Sequence, residues 1–361
     1  MSSQAARRSF QTLDGLRGVG AFLVVMRHVP ALFGPFRVPE SFLAVDLFYL
    51  VSGFVVAHAY GERLAHGGFF GDFVKTRIIR LYPLYLIGLL VGVITAVATM
   101  LADPHSFWTP MKIVECVATG LLMIPRFPGL ESNGTTLNGP IWTLLYELIA
   151  NFIYAGAIRL MKTRVLVAIV TVCGTGIVFA EFHYGTLDVG YNLTDQWAAL
   201  TRVGFSFFAG VLIYRAFGTR EFRSAWAAWA CVAVLGVALA IHLPTGLIAG
   251  YEIGMVLVGM PVLAIAAAHF EPDPLSGRLF SFVGLISYGV YIVHQPLGNL
   301  AVMQLHRVVR IPSNLSGALY GLAFMIFLVL LNWGLDRFYD APVRRWLRAR
   351  FMPARARPGG P

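Results

Sequence analysis

Apolar residues occur in long runs along almost the whole chain, separated by short stretches that hold charged residues, glycine and proline. A helix needs about 20 residues to cross the ~30 Å hydrocarbon core of a bilayer. Runs of about this length lie near residues 13–33, 42–60, 81–101, 140–159, 164–182, 199–217, 225–243, 247–268, 280–303 and 315–335. The pattern therefore predicts an all-α fold, a polytopic transmembrane helical bundle of about ten spans.

An eleventh apolar segment, 111–125, is shorter and differs in character. It contains Lys112 and Glu115, and its end lies close to Pro125 and Pro128. Charged residues and proline suit a re-entrant or interfacial helix better than a full crossing. We therefore predict one short helix of this kind in addition to the ten spans.

The basic residues indicate the orientation of the spans, because cytoplasmic loops carry an excess of Lys and Arg. With ten spans, His306, Arg307 and Arg310 lie on one side of the membrane and most basic residues lie on the other. The residues on this second side are Arg7, Arg8, Arg63, Lys75, Arg77, Arg80, Arg159, Lys162, Arg164, Arg215, Arg220, Arg223, Arg278 and the C-terminal arginines. Both termini are thus predicted to be cytoplasmic. The expected organisation is a tail over 1–12, one transmembrane domain over 13–340, and a basic tail over 341–361 that is disordered at its end.

Composition excludes a soluble globular protein. Of the 361 residues, 57% are hydrophobic and 13% are charged, against roughly a quarter charged in soluble domains. The net charge is +10, but the basic residues flank the spans, so we predict contact with the lipid bilayer and no nucleic-acid partner. The three cysteines, Cys116, Cys173 and Cys231, have no metal-binding spacing, and we predict no metal site.

Polar residues inside the spans are costly unless they have a partner or a function. In the first span Arg17 and His28 are eleven residues apart, which is three turns plus ~20° and places them on one helix face. Asp14 shares this face, and Arg27 points elsewhere. A lone intramembrane histidine is also compatible with a core residue that bonds a neighbouring helix, and both interpretations stay open.

The second span and the segment after it carry further polar groups. Asp46 and Gly53 share a helix face, and the glycine would let another helix or a ligand approach closely. In the next loop Arg77 and Arg80 are three residues apart just before a helix, a spacing that aims two guanidinium groups at one anion. Anchoring of the topology is the alternative role for this pair.

Later spans hold polar side chains that are able to line a cavity: Thr143, Glu147, Arg202, Tyr288, Tyr291, His294 and Gln295. For Glu147 the alternative is a structural ion pair with a neighbouring arginine. For the tyrosines it is an aromatic belt at the membrane interface.

These strings together resemble acyltransferase family 3, bacterial membrane enzymes that O-acylate O-antigens, exopolysaccharides, glucans and some antibiotics. The matching strings are LDGLRGVGAFLVVMRH, VDLFYLVSGF, RIIRLYPLY, WTLLYEL, RVGFSFFAG, SYGVYIVHQPL and DAPVR. They run in order from about residue 13 to residue 345, which makes the resemblance specific although each string alone is weak.

The resemblance implies roles for individual residues. The family's pattern of an arginine, ten residues and a histidine matches Arg17 to His28, so His28 is expected to be the catalytic base and Arg17 its companion. Arg77 and Arg80 are expected beside the acyl-donor site, together with Lys75.

Two further family motifs appear in altered form. In the string that is usually WSLxxE, Trp142 and Glu147 match while Thr143 replaces serine and keeps the hydroxyl. The late ExP motif begins with Asp340 instead of glutamate, which leaves the role of that acid less secure. The residues expected to bind the acceptor substrate are Trp142, Arg202, Tyr288, Tyr291 and His294.

The predicted reaction moves an acyl group from a cytosolic acyl-CoA, with acetyl-CoA the expected donor, to a hydroxyl of an extracytoplasmic or lipid-linked glycan at a bacterial inner membrane. An alcohol needs a base at neutral pH, and imidazole suits this task. His28 is expected to be the base or a transient acyl carrier, with Glu147 or Asp46 orienting its ring. The alternative is a transporter or flippase for a glycan or lipid-linked precursor. Many such transporters contain internal repeats, and no repeat is visible in the sequence. The oligomeric state is not indicated.

Overall fold

A computed structural model describes residues 8–124, 137–218, 220–309 and 311–352 as a bundle of helices. In chain order the described helices are α1 (Gln11–His28), α2 (Ala44–Ala65), α3 (Phe70–Ala102), α4 (Pro110–Leu121), α5 (Ile141–Gly156), α6 (Thr163–Tyr184), α7 (Gln196–Phe217), α8 (Ala225–Ala240), α9 (Thr245–Gly254), α10 (Met260–His269), α11 (Pro274–Val308), α12 (Ala318–Leu335) and α13 (Ala341–Phe351). π-helical turns at Met255–Gly259 and Asp336–Asp340 join α9 to α10 and α12 to α13. Short 3-10 turns cover Pro30–Leu32, Pro39–Leu43 and Leu193–Asp195, and two short parallel strands pair β1 (Phe222–Arg223) with β2 (Phe270–Glu271).

Each predicted span coincides with a helix, α9 and α10 together forming the eighth. Within the described residues, seven helical stretches are long and apolar enough to cross a membrane by length and composition: Pro39–Ala65, Phe70–Ala102, Thr163–Tyr184, Gln196–Phe217, Thr245–His269, Pro274–Val308 and Ala318–Phe351. The helices α5 and α8 are apolar but shorter, and α1 carries Asp14, Arg17 and Arg27. The prediction of an all-helical, multi-pass membrane protein is confirmed.

Two boundaries differ from the predicted ones. Helix α3 begins at Phe70, eleven residues before the predicted span at 81, so Arg77 and Arg80 lie inside a helix and not in a loop. Helix α13 continues to Phe351, so the first part of the predicted tail is helical. The prediction ended spans at charged residues, but Arg77 pairs with Glu147 and Arg344 pairs with Asp340, so these charges do not interrupt their helices.

The short helix α4 agrees in length with the predicted non-crossing segment. It has 12 residues, which at ~1.5 Å rise per residue is about 18 Å. The Thr109 hydroxyl caps its first turn by accepting from the Lys112 N–H at 3.3 Å, as expected for a threonine at this position. The predicted end of this segment at Pro125 lies outside the described residues, as do Arg7, Arg310 and the tail beyond residue 352.

Helices α1 and α11 run in the same direction and pack closely along their length. At Gly18 and Gly277 a side chain would overlap the opposite helix, and Gly277 meets Gln11. The same register persists to the far end of α1, where His28 meets His294, 266 residues later. Glycine contacts of this kind let membrane helices approach closely, and here they bring the two histidines together.

Helices α2 and α7 form a second close pair. Gly53 lies directly against the backbone carbonyl of Phe207, so of the two predicted roles for this glycine the structure supports the approach of another helix. Asp46 lies on the same side of α2 and contacts Arg202 of α7. The pair thus combines close backbone packing with a buried ion pair.

The segment before α1 is tied to β2 by buried polar contacts. The Gln11 N–H donates to Glu271 Oε2 at 3.0 Å, and the Thr12 hydroxyl donates to the carbonyl of Phe270 at 2.5 Å. Burial raises the pKa of the Glu271 carboxyl to about 7, although the Gln11 N–H and the Arg8 cation favour its charged form. This carboxyl lies between two spans and titrates near neutral pH.

Candidate active site

A first cavity of about 100 Å³ lies among α1, α2, α3, α5 and α11. Arg17, Arg77 and Arg80 all line it, together with Glu147 and Tyr288. The structure therefore groups Arg77 and Arg80, which the sequence assigned to the donor site, with Arg17, which it assigned to His28 as a companion. Three guanidinium groups around one cavity make a site for an anion.

The arginines of this cavity differ in their partners. Arg77 is buried and donates to Glu147 Oε1 at 2.8 Å, and the Ser52 hydroxyl donates to the same oxygen at 2.6 Å. Arg17 lies 3.5 Å from Asp14. Arg77 is thus neutralised by Glu147, which is the structural ion pair that the sequence left open as an alternative.

Arg80 and Lys75 are placed differently from each other. Within the described chain, Arg80 makes no hydrogen bond or ion pair, and it lines the first cavity. Lys75 is exposed and lines neither of the cavities described here. Residues two positions apart do not share a helix face, so Lys75 points away from the cavity that Arg77 lines. Lys75, predicted to lie at the donor site, is therefore outside the cavity that Arg77 and Arg80 line.

A second cavity, of about 600 Å³, lies at the end of α1 where His28 is located. Trp142, Tyr191, Arg27 and Asp188 line it with His28. Arg27 forms an ion pair with Asp188 and donates to the carbonyl of Pro39 at 2.6 Å. The helical pattern had placed Arg27 on another face, but α1 ends at His28, and a long side chain at a helix end can turn toward the cavity.

Two residues, Val45 and Tyr291, line both cavities and so lie between them. The Thr143 hydroxyl donates to the carbonyl of Pro140 at 2.8 Å. Since that uses its only hydrogen, the Tyr291 hydroxyl is the donor in the 2.9 Å contact between Tyr291 and Thr143. Tyr291 is thus fixed at the partition. Tyr288, by contrast, donates to the carbonyl of Leu81 at 2.8 Å and faces only the first cavity.

Among the described residues, the ring of His28 has an imidazole neighbour and no carboxylate in contact with it. Its Nδ1 lies 3.0 Å from His294 Nε2 and 3.0 Å from the carbonyl of Val24. Glu147 and Asp46 bond arginines instead. In the described chain neither of these carboxylates contacts the imidazole that it was predicted to orient. His294, predicted to bind substrate, is 0% exposed and lines neither cavity.

Arg202 has a structural role that the sequence did not indicate. Its Nη2 lies 2.6 Å from Asp46 Oδ2, and both side chains are 1% exposed. The remaining donors reach Asp46 Oδ1 and the carbonyls of Leu187, Val189 and Phe42 at 2.8 to 3.3 Å. All five N–H groups of the guanidinium are used. Arg202 also lines the second cavity, so it both supports the wall of that cavity and lies where its contact with substrate was predicted.

Comparison with known proteins identifies the family of the chain. The acyltransferase domain model of acyltransferase family 3 matches residues 10–337. The chain is 41% identical over 192 residues to "Protein 2 in picA locus" of Rhizobium radiobacter, an alignment that takes in 50% of this chain and 100% of the relative. No solved structure matches the chain significantly. In the described part of the chain no three His, Cys, Asp or Glu side chains are grouped to hold a metal ion. The chain belongs to acyltransferase family 3 and is a multi-pass membrane acyltransferase that transfers groups other than amino-acyl groups.

Proposed function

We propose that the protein moves an acyl group from acyl-CoA, with acetyl-CoA the expected donor, to a hydroxyl of an extracytoplasmic or lipid-linked glycan at a bacterial inner membrane. The observation that carries this proposal is the pair of neighbouring cavities. One is lined by three arginines and the other by His28, and they meet at Tyr291. A polyanionic donor and a hydroxyl acceptor need two sites of these kinds that meet where the acyl group is exchanged.

The first cavity suits the phosphates of the donor. Guanidinium groups bind phosphate through paired, charge-assisted hydrogen bonds. Arg80 has its donors free within the described chain, whereas Arg77 shares its charge with Glu147. Arg80 is therefore the first contact for the donor, and Arg17 supplies a second positive charge from α1.

The second cavity suits a sugar. Its volume of about 600 Å³ lies within the range of ligand pockets, roughly 300–1,000 Å³. Trp142 and Tyr191 offer ring faces for the apolar C–H faces of a saccharide, and the Arg27–Asp188 pair offers donors and acceptors for its hydroxyls. This mixture favours a glycan over an apolar acceptor.

In the proposed reaction the acceptor hydroxyl gives its proton to His28 as its oxygen attacks the thioester carbonyl carbon. A C–O bond forms and the C–S bond breaks. The thiolate that leaves takes up one proton, which equals the proton that His28 received, so the reaction is balanced. In a second route His28 attacks the thioester carbonyl and the thiolate leaves. The acceptor oxygen then bonds the acyl carbon, the acyl bond to His28 breaks, and the thiolate takes up the hydroxyl proton, so this route is balanced as well. Because Tyr291 lies between the cavities, the thioester arm has to pass beside this ring.

The test compares His28→Ala with His306→Ala, a matched variant at an exposed histidine that lines neither cavity. Surface polysaccharide and lipid-linked glycans from cells with equal protein levels are examined by mass spectrometry. We expect one acyl mass to disappear in His28→Ala and to persist in His306→Ala. Retained acylation in His28→Ala removes this residue from the mechanism. Loss of the glycan itself from the surface, with its acyl groups intact inside, supports the transporter alternative.

A further inference from the structure

His294 is a buried titratable group that the reaction above leaves unused. It is 0% exposed, and its ring lies behind that of His28 with the ring centroids 5.0 Å apart. It lines neither cavity, so it does not touch a substrate bound in either one. Its hydrogen bonds nevertheless decide which nitrogen of His28 can accept a proton.

The hydrogen positions of His294 follow from its neighbours. Its Nδ1 lies 2.8 Å from the carbonyl of Tyr291 and 3.2 Å from that of Val290. Carbonyl oxygens only accept, so Nδ1 carries a hydrogen. A fully buried charged ring is costly without an ionised partner, and in the described chain no carboxylate contacts His294. The ring is therefore neutral, and its Nε2 has a free lone pair.

The same reasoning extends to His28. Its Nδ1 faces two acceptors, His294 Nε2 at 3.0 Å and the carbonyl of Val24 at 3.0 Å. Nδ1 therefore carries the hydrogen of the neutral ring. The other nitrogen, Nε2 of His28, is left with the lone pair and is the atom able to take a proton from a hydroxyl in the second cavity.

We propose that His294 is a positioning residue for His28. It accepts the Nδ1–H of His28, holds the ring in the tautomer whose Nε2 is basic, and shares the positive charge when Nε2 gains a proton. This inference rests on the proposed function of His28 as a base. In Ser-His-Asp enzymes a carboxylate does this work, and here a neutral imidazole takes its place.

The fold holds His294 firmly in place. Pro296 has no N–H, which leaves the carbonyl of Ile292 without its helical partner, and Asn138 Nδ2 donates to that carbonyl at 2.6 Å. The Thr95 hydroxyl lies 3.0 Å from the carbonyl of Pro296 and 2.9 Å from that of Val91, so its single hydrogen can bond either one. These contacts fix α11 on both sides of His294 and keep its ring in register with His28.

The first experiment detects the hydrogen bond without any substrate. The full-length protein is labelled with 15N-histidine in lipid nanodiscs, and scalar coupling across an N–H···N hydrogen bond is measured by NMR, with His294→Gln used to assign the signals. We expect one coupled pair that links a protonated Nδ1 of His28 to an unprotonated Nε2 of His294. A His294 ring that is protonated at Nε2, or the absence of coupling, overturns the proposal.

The second experiment measures thiol release from acetyl-CoA by the protein in liposomes that contain lipid-linked glycan from the source membrane. His294→Met removes the acceptor, and we expect kcat to fall at least about tenfold, but by no more than the ~10²–10⁴-fold that a general base contributes, with an unchanged KM for acetyl-CoA. His294→Gln places an amide oxygen where Nε2 was, and we expect it to recover most of kcat. A fully active His294→Met, or a His294→Gln as slow as His294→Met, overturns the positioning role.

The two proposals fail in different ways. If His28→Ala releases thiol at the normal rate, the base assignment fails, and the positioning role fails with it even where the N–H···N coupling is present. If His28→Ala is inactive and the coupling is absent, only the role of His294 is overturned.

Discussion

Replacing Asp46 with alanine should destabilise the protein far more than breaking a surface ion pair. Asp46 and Arg202 are each 1% exposed and lie 2.6 Å apart. Removing one partner of such a pair leaves a buried charge without compensation, at a cost of about 3–5 kcal/mol. An exposed pair contributes about 0–1 kcal/mol. The burial of this pair therefore predicts a loss of about 3–5 kcal/mol in the free energy of unfolding.

The partners of Arg202 refine this magnitude. In Asp46→Ala the guanidinium still donates to three carbonyls, among them Leu187 and Val189, so it stays in place with its charge unbalanced. In Arg202→Met those carbonyls lose their donor and the carboxylate is stranded, so the loss should be at least as large. The double variant Asp46→Ala with Arg202→Met removes both charges. It should be less destabilised than the sum of the single variants by about 2 kcal/mol.

The assay is denaturant unfolding of the purified protein in detergent, with Arg223→Ala as the control. Arg223 is 78% exposed and pairs with Glu221 at 3.2 Å, and its loss should change the free energy of unfolding by under about 0.5 kcal/mol. An Asp46→Ala variant within about 1 kcal/mol of wild type, or strict additivity in the double variant, would refute the reasoning. A raised KM for the acceptor with unchanged stability in Arg202→Met would restore the predicted substrate role.

Three further predictions follow from single residues. Arg80→Ala should raise KM for acetyl-CoA about tenfold with little change in stability, whereas Arg77→Ala should also lower stability because it leaves the partly buried Glu147 carboxylate, 20% exposed, without its cation. Gly53→Ala should lower the free energy of unfolding by about 1–3 kcal/mol in a denaturant titration, because the methyl group would overlap the α7 backbone. Glu271 has a folded pKa of about 7 against an ordinary value of 4.5. The folded state therefore holds more protons between these values, and stability should fall by at most about 3 kcal/mol as pH rises from 4.5 to 7.

Each of these three predictions has a control that can contradict it. Equal KM values for Arg80→Ala and wild type would place the donor elsewhere. Gly236→Ala, at a position with open space around it, should be neutral or stabilising, and a Gly53→Ala variant that behaves in the same way would contradict the close packing. Glu271→Gln should flatten the fall in unfolding midpoint between pH 4.5 and 7, and an unchanged slope would assign it to another group.

The sequence predicted the helices well because the bilayer itself imposes the pattern. A crossing helix has to be apolar over a fixed length, and that requirement is visible without any knowledge of tertiary contacts. The prediction of helix ends failed where a helix continues through charged residues, as at Arg77 in α3 and at Arg344 in α13. Arg344 lies 3.0 Å from Asp340 one turn earlier, so the helix continues with its charges paired.

The residues of the candidate site were predictable from the sequence, but the ion pairs between them were not. Helical spacing correctly grouped Arg77 with Arg80, because neighbours on one helix face follow from geometry alone. Which carboxylate meets which arginine depends on the packing of helices distant in sequence. Asp46 bonds a residue 156 positions later, and no local pattern contains that information. Asp188 was missed because it lies in a loop without a motif.

The two cavities differ in how the charges of their arginines are balanced. Around the second cavity, Arg27 and Arg202 are each neutralised by a carboxylate, so this region carries little net charge and is suited to a neutral sugar. Around the first cavity Arg77 is neutralised, while Arg80 has no ion pair in the described chain. An unbalanced cation within a membrane protein is costly, and that cost is removed when a phosphate binds. Under the proposed function, binding of the donor phosphates balances the charge of the first cavity, whereas the arginines of the second cavity are already paired. In the described chain no unpaired guanidinium lines the second cavity with His28, which suits the proposed role of this residue as the base.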